Sequence, residues 1–283
     1  MLVRIAKDWN YPDIFRQTPN NSKVWDGVNF TTDKNTKCDV LVVLNSPPQN
    51  MFVQTLRGGR WLFSQESPVE MYRWHTRSFN HFNQVFSFWD KTHCRKIQSC
   101  QTALPWHINK TYDELQQLQS NNCNLKKDAL SWVTSNASHK PGHKLRLQFK
   151  SDMEKHNLPY NLFGKGFTPI DDKFDAIYPY KYSIAFENYS CNDYWTEKIA
   201  DCFLSWTMPV YYGCSNILDY FPSKSFIAIN PLEPKATIET IKKAIAEDWW
   251  SKNLNAIAEA RELILNEYQF FPFVVKRIRQ LGL

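Results

Sequence analysis

Hydrophobic positions along the chain fall into short, nearly unbroken runs separated by polar stretches. Those at residues 39–44 (DVLVVL), 60–64 (RWLFS), 84–88 (QVFSF, beginning at Gln84), 129–134, 160–163, 182–186 (YSIAF), 209–212 and 225–229 read as strands. Near-continuous apolar character, in place of alternation, marks strands covered on both faces. Between some of the runs the period lengthens to that of a helix, at Ile199, Phe203 and Trp206 and again through residues 238–249 and 256–268. Residues 270–283 read as a basic terminal helix, able to pack back on the first part of the chain. Strands alternating with helices predict an α/β fold. The polar stretch 116–127 (QQLQSNNCNLKK) divides the pattern into two α/β halves, residues 1–125 and 126–283.

Composition narrows the chemistry. The 11 Trp, 13 Tyr and 19 Phe supply ample core material and argue against disorder. With 8 glycines and no GxGxxG or GxxxxGK[ST] loop, P-loop NTPases, kinases and simple dehydrogenases are poor fits. The net charge of +6 is spread without a basic block. That argues against a nucleic-acid partner and suits a phosphate-bearing ligand, with at most peripheral contact with an anionic membrane. Seven cysteines (Cys38, Cys94, Cys100, Cys123, Cys191, Cys202, Cys214) form no CxxC pair, so a reducing, cytoplasmic setting is expected instead of a disulfide framework or zinc site. The opening MLVRIAKDWNYPD has no apolar signal core, and no later run approaches the ~18 apolar residues of a membrane span. The expectation is a soluble or peripheral protein.

The richest stretch is YSIAFENYSCNDYWTEKIADCFLSWTMPVYYG, residues 182–213. Ligands of open α/β sheets sit beyond the carboxyl ends of strands, which here means the loop holding Glu187, Asn188, Asp193 and Tyr194. Asn192 or Asp193 is expected to cap the following helix, with Thr196, Glu197 and Lys198 in its first turn. A lysine there opposes the helix dipole by several tenths of a kcal/mol, roughly, and a bound anion would offset that cost. Glu197 suits sugar hydroxyls, as carboxylates do for ribose. The same residues also fit a solvated helix face, and Tyr194 also fits a core aromatic.

FEN (186–188), DYWTEK (193–198) and MPVYYG (208–213) together resemble the donor-site signature of the α-1,3-fucosyltransferases, glycosyltransferase family 10. The resemblance extends more thinly to SQESP (64–68), FNQVFSFWDK (82–91), SWVTSNAS (131–138) and RLQF (146–149). It implies a GT-B architecture, two Rossmann-like domains facing across a cleft, with an acceptor-binding first half and a nucleotide-sugar-binding second half. The implied reaction is inverting transfer of a sugar, nominally fucose from GDP-fucose, to a hydroxyl of an oligosaccharide or glycoconjugate acceptor.

Such a transfer needs a base, stabilisation of the departing diphosphate and an acceptor held in line. By resemblance, Arg146 and Lys198 neutralise the diphosphate, Asn188, Tyr194 and Glu197 bind the donor, and Glu187 touches or supports the sugar. Glu66 is the expected base, with Glu70 and His75 in reserve, although a Glu before Ser-Pro also suits a surface turn. Aromatics within residues 70–82 could stack on acceptor sugars or simply pack. No DxD pair falls in the site, so neither a metal nor any cofactor beyond the nucleotide sugar is expected. The adjacent Asp171 and Asp172 read as an exposed turn. Trp195 stands where the family usually has a small aliphatic residue, and it leaves two readings. It is a wall beside the donor sugar, selecting a smaller pentose such as a xylosyl-type donor, or it is a core residue. A non-catalytic sugar-binding protein is the alternative from another class.

Overall fold

The chain opens with a strand that the apolar runs do not single out. LVRIA, β1 (Leu2–Ala6), is interrupted by Arg4, yet it lies inside the first sheet. The computed structural model describes residues 1–7, 9–46, 51–103, 105–120 and 126–283. With β2 (Val24–Trp25), β3 (Val28–Thr31), β4 (Val40–Leu44), β5 (Arg60–Ser64), β6 (Gln84–Ser87) and β7 (Ile97–Ser99), β1 builds a sheet ordered β2-β3-β1-β4-β5-β6-β7. Its pairings are parallel apart from that of β2 with β3. Side chains of a strand alternate between faces. In β4, accordingly, Val40, Val42 and Leu44 join one apolar cluster while Leu41 and Val43 join another.

The second sheet, ordered β12-β11-β10-β8-β9, is parallel throughout and contains β8 (Lys127–Val133), β9 (Asn161–Phe163), β10 (Tyr180–Phe186), β11 (Met208–Tyr212) and β12 (Ile227–Ala228). The helices are α1 (Tyr112–Gln117), α2 (Pro141–Lys155), α3 (Lys173–Ile177), α4 (Glu197–Leu204), α5 (Pro234–Ala246), α6 (Trp249–Lys252), α7 (Leu254–Leu263) and α8 (Phe270–Gln280). In each sheet the chain steps from its first strand to one neighbour and then builds outward on the other side. The reversal falls between β1 and β4 in the first sheet and between β8 and β10 in the second. A crevice for a ligand opens at the carboxyl ends of the strands at such a reversal.

The two cores do not divide at the polar stretch. Ala103 packs with the first sheet, but Trp106, Ile108 and Leu115 are buried in the core of the second. The chain therefore crosses between the units within TALPW, an apolar segment that no shift in composition announces. It crosses back at Gln269: Leu265 belongs to the second core, while Phe270, Phe271, Val274 and Ile278 of α8 lie in the first. Burying side chains of that kind is worth about 1.5–3 kcal/mol each, so α8 is a main element of the first unit. Gln269 fixes the crossing by donating to the carbonyls of Gln17 (3.2 Å) and Leu265 (3.3 Å) while accepting from the Phe271 amide (3.1 Å).

Among the described residues no helix is long and apolar enough to cross a membrane. Cys38, Cys94, Cys100, Cys191, Cys202 and Cys214 are free thiols. Cys123 lies outside the described residues.

Candidate active site

Glu187, the first residue beyond β10, has no exposed surface. Gly213 makes room for it: a Cβ there would stand 2.4 Å from Glu187 Cγ, at a φ of +157°. The carboxylate accepts hydrogen bonds from the amide and hydroxyl of Thr196 (both 2.8 Å) and from Lys198 Nζ (3.1 Å). Thr196 is itself the cap of α4, its hydroxyl accepting from the Lys198 amide. This corrects the expectation that Asn192 or Asp193 caps the helix. Asp193 instead takes a φ of +65° and accepts from Asn216 Nδ2 (3.0 Å) and the Tyr220 hydroxyl (2.6 Å), which ties down the loop before the cap.

Lys198 Nζ also meets Glu197 Oε1 at 3.3 Å. The awkward position of this lysine in the first turn is thus offset by two carboxylates of the protein. Burial alone would lower its pKa, but Glu187 and Glu197 outweigh burial and hold the ammonium protonated. Glu197 is in turn shared with Lys173 (3.4 Å) and lies 3.9 Å from His107 Nδ1. Burial pushes its carboxyl upward, yet Lys198, Lys173 and His107 together bring it well below the usual range. Glu187 goes the other way, raised chiefly by burial. Lys173 continues the network to the buried Asp201 at 3.3 Å, whose Oδ1 accepts the His107 amide at 2.8 Å.

Arg146, on the buried face of α2, spans the strand reversal of the second unit. Nη1 donates to Asn188 Oδ1 at 3.0 Å, just beyond β10, and Nη2 to the Ser135 carbonyl at 3.1 Å, just beyond β8. The first turn of α2 sits hard against the same loop. A Cβ on Gly142 would lie 1.8 Å from the Asn188 carbonyl oxygen, so only glycine permits the approach. His143 follows, 6% exposed, with no partner for its buried Nδ1 among the described residues. Sequence reading passed over His143, His107 and Lys173. The spacing HxxR, which puts His143 and Arg146 on one side of a helix, was the available signal for the first of these.

From the first unit, Glu66 stands two residues past β5, half-buried. Its neighbour Gln65 is pinned by its backbone N–H donating to Asn45 Oδ1 (2.8 Å) and by Nε2 donating to the Thr102 carbonyl (3.0 Å). Phe88, just past β6, meets the edge of Tyr194 at 4.9 Å between ring centroids. Tyr194 is buried, and its hydroxyl is shifted upward by burial first and then by Glu187, with Glu66 among the further negative charges it feels. Lys140, the residue before α2, reaches the hydroxyl of Tyr72 and lies 4.5 Å from its ring centroid. These contacts bring the carboxyl edges of the two sheets face to face. Glu66 stands on one side, and Arg146, Glu187, Asn188, Tyr194, Glu197 and Lys198 stand on the other.

Of its two readings Trp195 takes the core one: it is 4% exposed, belongs to the core of the second unit and packs against Tyr220, Phe221 and Tyr268 at 5.2–5.8 Å. The Trp195 amide bonds the Asp193 carbonyl at 3.1 Å, a tight turn centred on Tyr194 that redirects the chain before the extended Thr196. Tyr194 meets Phe88 and Thr196 meets Glu187, while Trp195 turns to the core rings. His75 is buried under Trp74 (3.9 Å between centroids) with Nδ1 3.4 Å from the Asn45 carbonyl, a packed residue. The side chain of Glu70 lies outside the described residues. Asp172 caps α3 and accepts the Asn109 amide at 2.9 Å. Among the described residues no group of three or more His, Cys, Asp or Glu side chains is placed to hold a metal ion.

Known proteins resemble this chain in sequence over its second half and in fold over nearly all of it. Residues 123–249 match the family model "Glycosyltransferase family 10 (fucosyltransferase) C-term". The "GDP-fucose protein O-fucosyltransferase 3" of Danio rerio is 27% identical over 245 residues, which is 77% of this chain and 51% of the relative. The chain thus spans about half the length of that relative. Among solved structures, an alpha1,3-fucosyltransferase with GDP matches with a TM-score of 0.53 at 18% identity, over 95% of this chain and 91% of the other. An alpha-glucosyltransferase in complex with UDP and a 13-mer DNA matches with a TM-score of 0.61 at 10% identity, over 99% of both chains. These likenesses show the fold, which is the GT-B arrangement of two parallel α/β units across a cleft. FEN, DYWTEK and MPVYYG all fall within residues 123–249, the span that is similar to glycosyltransferase family 10.

Proposed function

We propose that this protein transfers fucose from GDP-fucose, with inversion, to a hydroxyl of a glycan or protein-linked acceptor. The observation that carries the reading is the placement of Arg146 and Lys198 at the strand reversal of the second unit, with Glu66 on the opposing edge. The acceptor oxygen attacks the anomeric carbon from the side away from the diphosphate as Glu66 takes its proton. The bond to the β-phosphate oxygen breaks, and GDP leaves with the electron pair. Arg146 and Lys198, preorganised and partly desolvated, stabilise the charge that gathers on the diphosphate. Asn188 positions Arg146 in this scheme, Glu187 positions Lys198, and Glu197 is available to donor hydroxyls. The names of the relatives support the donor. Core packing of Trp195 on Tyr220, Phe221 and Tyr268 favours fucose over a smaller pentose donor.

The test is transfer from GDP-fucose to a panel of glycan and glycopeptide acceptors, in EDTA, together with thermal shift across GDP- and UDP-sugars. A cognate nucleotide at 100 times its Kd adds about 2.7 kcal/mol of stability. Glu66→Gln should lower transfer at least about 100-fold and leave GDP affinity unchanged. Stabilisation by a UDP-sugar alone would replace the donor, and nucleotide binding without transfer or donor hydrolysis would make this a sugar-binding protein.

A further inference from the structure

The first turn of α2 occupies the βα junction at the strand reversal, the place where parallel α/β folds receive nucleotide phosphates on free amides and the positive end of a helix. Gly142 holds that turn against the Asn188 carbonyl, and Lys140 ties it to Tyr72 of the opposing unit. His143 is the third residue of this 15-residue helix, one turn before Arg146 and on the same side. It is 6% exposed, stands edge-on to His139 at 4.6 Å between centroids, and carries a sealed Nδ1 with no partner among the described residues.

The surroundings decide which form the ring takes. Burial, reinforced by Arg146, His139, Lys140 and Lys198, brings its pKa down to about 4, so the imidazole is neutral. A neutral imidazole has one N–H and one lone pair. Nδ1 is sealed from any ligand, so a donor contact to one falls to Nε2, and the N–H belongs there. Such a ring adds a hydrogen-bond donor beside two cations without adding a third charge for them to repel.

We infer that His143 is a third contact to the donor diphosphate, a neutral N–H donor set beside the Arg146 and Lys198 that neutralise it. This rests on the donor site proposed above. His143 acts in binding and positioning, and it takes no part in proton transfer to or from the acceptor.

Calorimetric titration with GDP and with GMP tests this on the wild-type chain, His143→Ala, His143→Gln and His143→Leu. Expected are a loss of about tenfold in GDP affinity in His143→Ala and His143→Leu, a change of under about twofold for GMP, and recovery of most GDP affinity in His143→Gln, which keeps a neutral N–H. GDP affinity equal to wild type in His143→Ala overturns the assignment, as does equal loss for GDP and GMP. Should the alanine variant fail to fold, His143→Gln against His143→Leu decides, and equal GDP affinities reject the contact. Wild-type protein that binds no GDP would instead reject the donor site itself.

Discussion

Lys198 Nζ lies 3.1 Å from Glu187 Oε2, and the carboxylate it meets has no exposed surface. The lysine therefore serves the fold as well as the proposed donor site. Lys198→Ala leaves a buried carboxylate without its cation, which typically costs about 3–5 kcal/mol. Urea unfolding should show that loss alongside failed GDP binding. The double variant Glu187→Gln/Lys198→Met should regain most of the stability and none of the binding. A single variant that unfolds like wild type would show that the pair is not formed.

Gly142→Ala should separate the site from the fold. Its methyl group would come 1.8 Å from the Asn188 carbonyl, so the first turn of α2 must move away from the loop that Arg146 grips. A stability loss of about 1–3 kcal/mol is expected, as for other overpacked positions. GDP affinity should fall about tenfold with it. Unchanged affinity would mean that α2 and the loop can part without consequence for the nucleotide.

Trp195→Val, a change toward the aliphatic residue usual in the family, should act through packing. The buried indole leaves a cavity under Tyr220, Phe221 and Tyr268, at a cost of about 3–5 kcal/mol by analogy with other deletions of large aromatics. Preference among GDP-sugars should not change. A stable variant with a new sugar preference would return Trp195 to the cleft.

Acid should weaken the fold in a defined window. His143 titrates at about 4 in the folded chain against an ordinary 6.5, so between those values the unfolded chain binds the extra proton. Stability then falls as pH drops through 6.5 toward 4, with a slope of up to about 1.4 kcal/mol per pH unit, and levels off below. His107 adds in the same sense, lowered by burial although Glu197 opposes the shift. Denaturation midpoints of His143→Gln against wild type, taken from pH 7 to about 4.5, should show a shallower fall in the variant.

The parallel interior was legible because strands covered on both faces leave unbroken apolar runs, and Arg60–Ser64 and Met208–Tyr212 lie where those runs stand. β1 and β7 were not, since Arg4 and Gln98 break their patterns. Residues 187–198 announced a site through their unusual residue types, but the partners of each charge could not be read from that stretch alone. The cap is Thr196 because its hydroxyl meets both Glu187 and the Lys198 amide, a choice made by the buried carboxylate nine residues upstream. His107, Lys173 and Ser135 reach the cluster from distant segments, and no local spacing connects them.

The two crossings of the chain, one between Ala103 and Trp106 and one at Gln269, set how the cleft can work. A single linker would let either unit swivel and present Glu66 at any angle. Two pins confine any relative movement of the units to rotation about the line that joins them, and so restrict the angles at which Glu66 can face Arg146 and Lys198. The same geometry makes the halves inseparable: cutting the chain before α8 frees no domain, and strips one face of the first sheet of its cover.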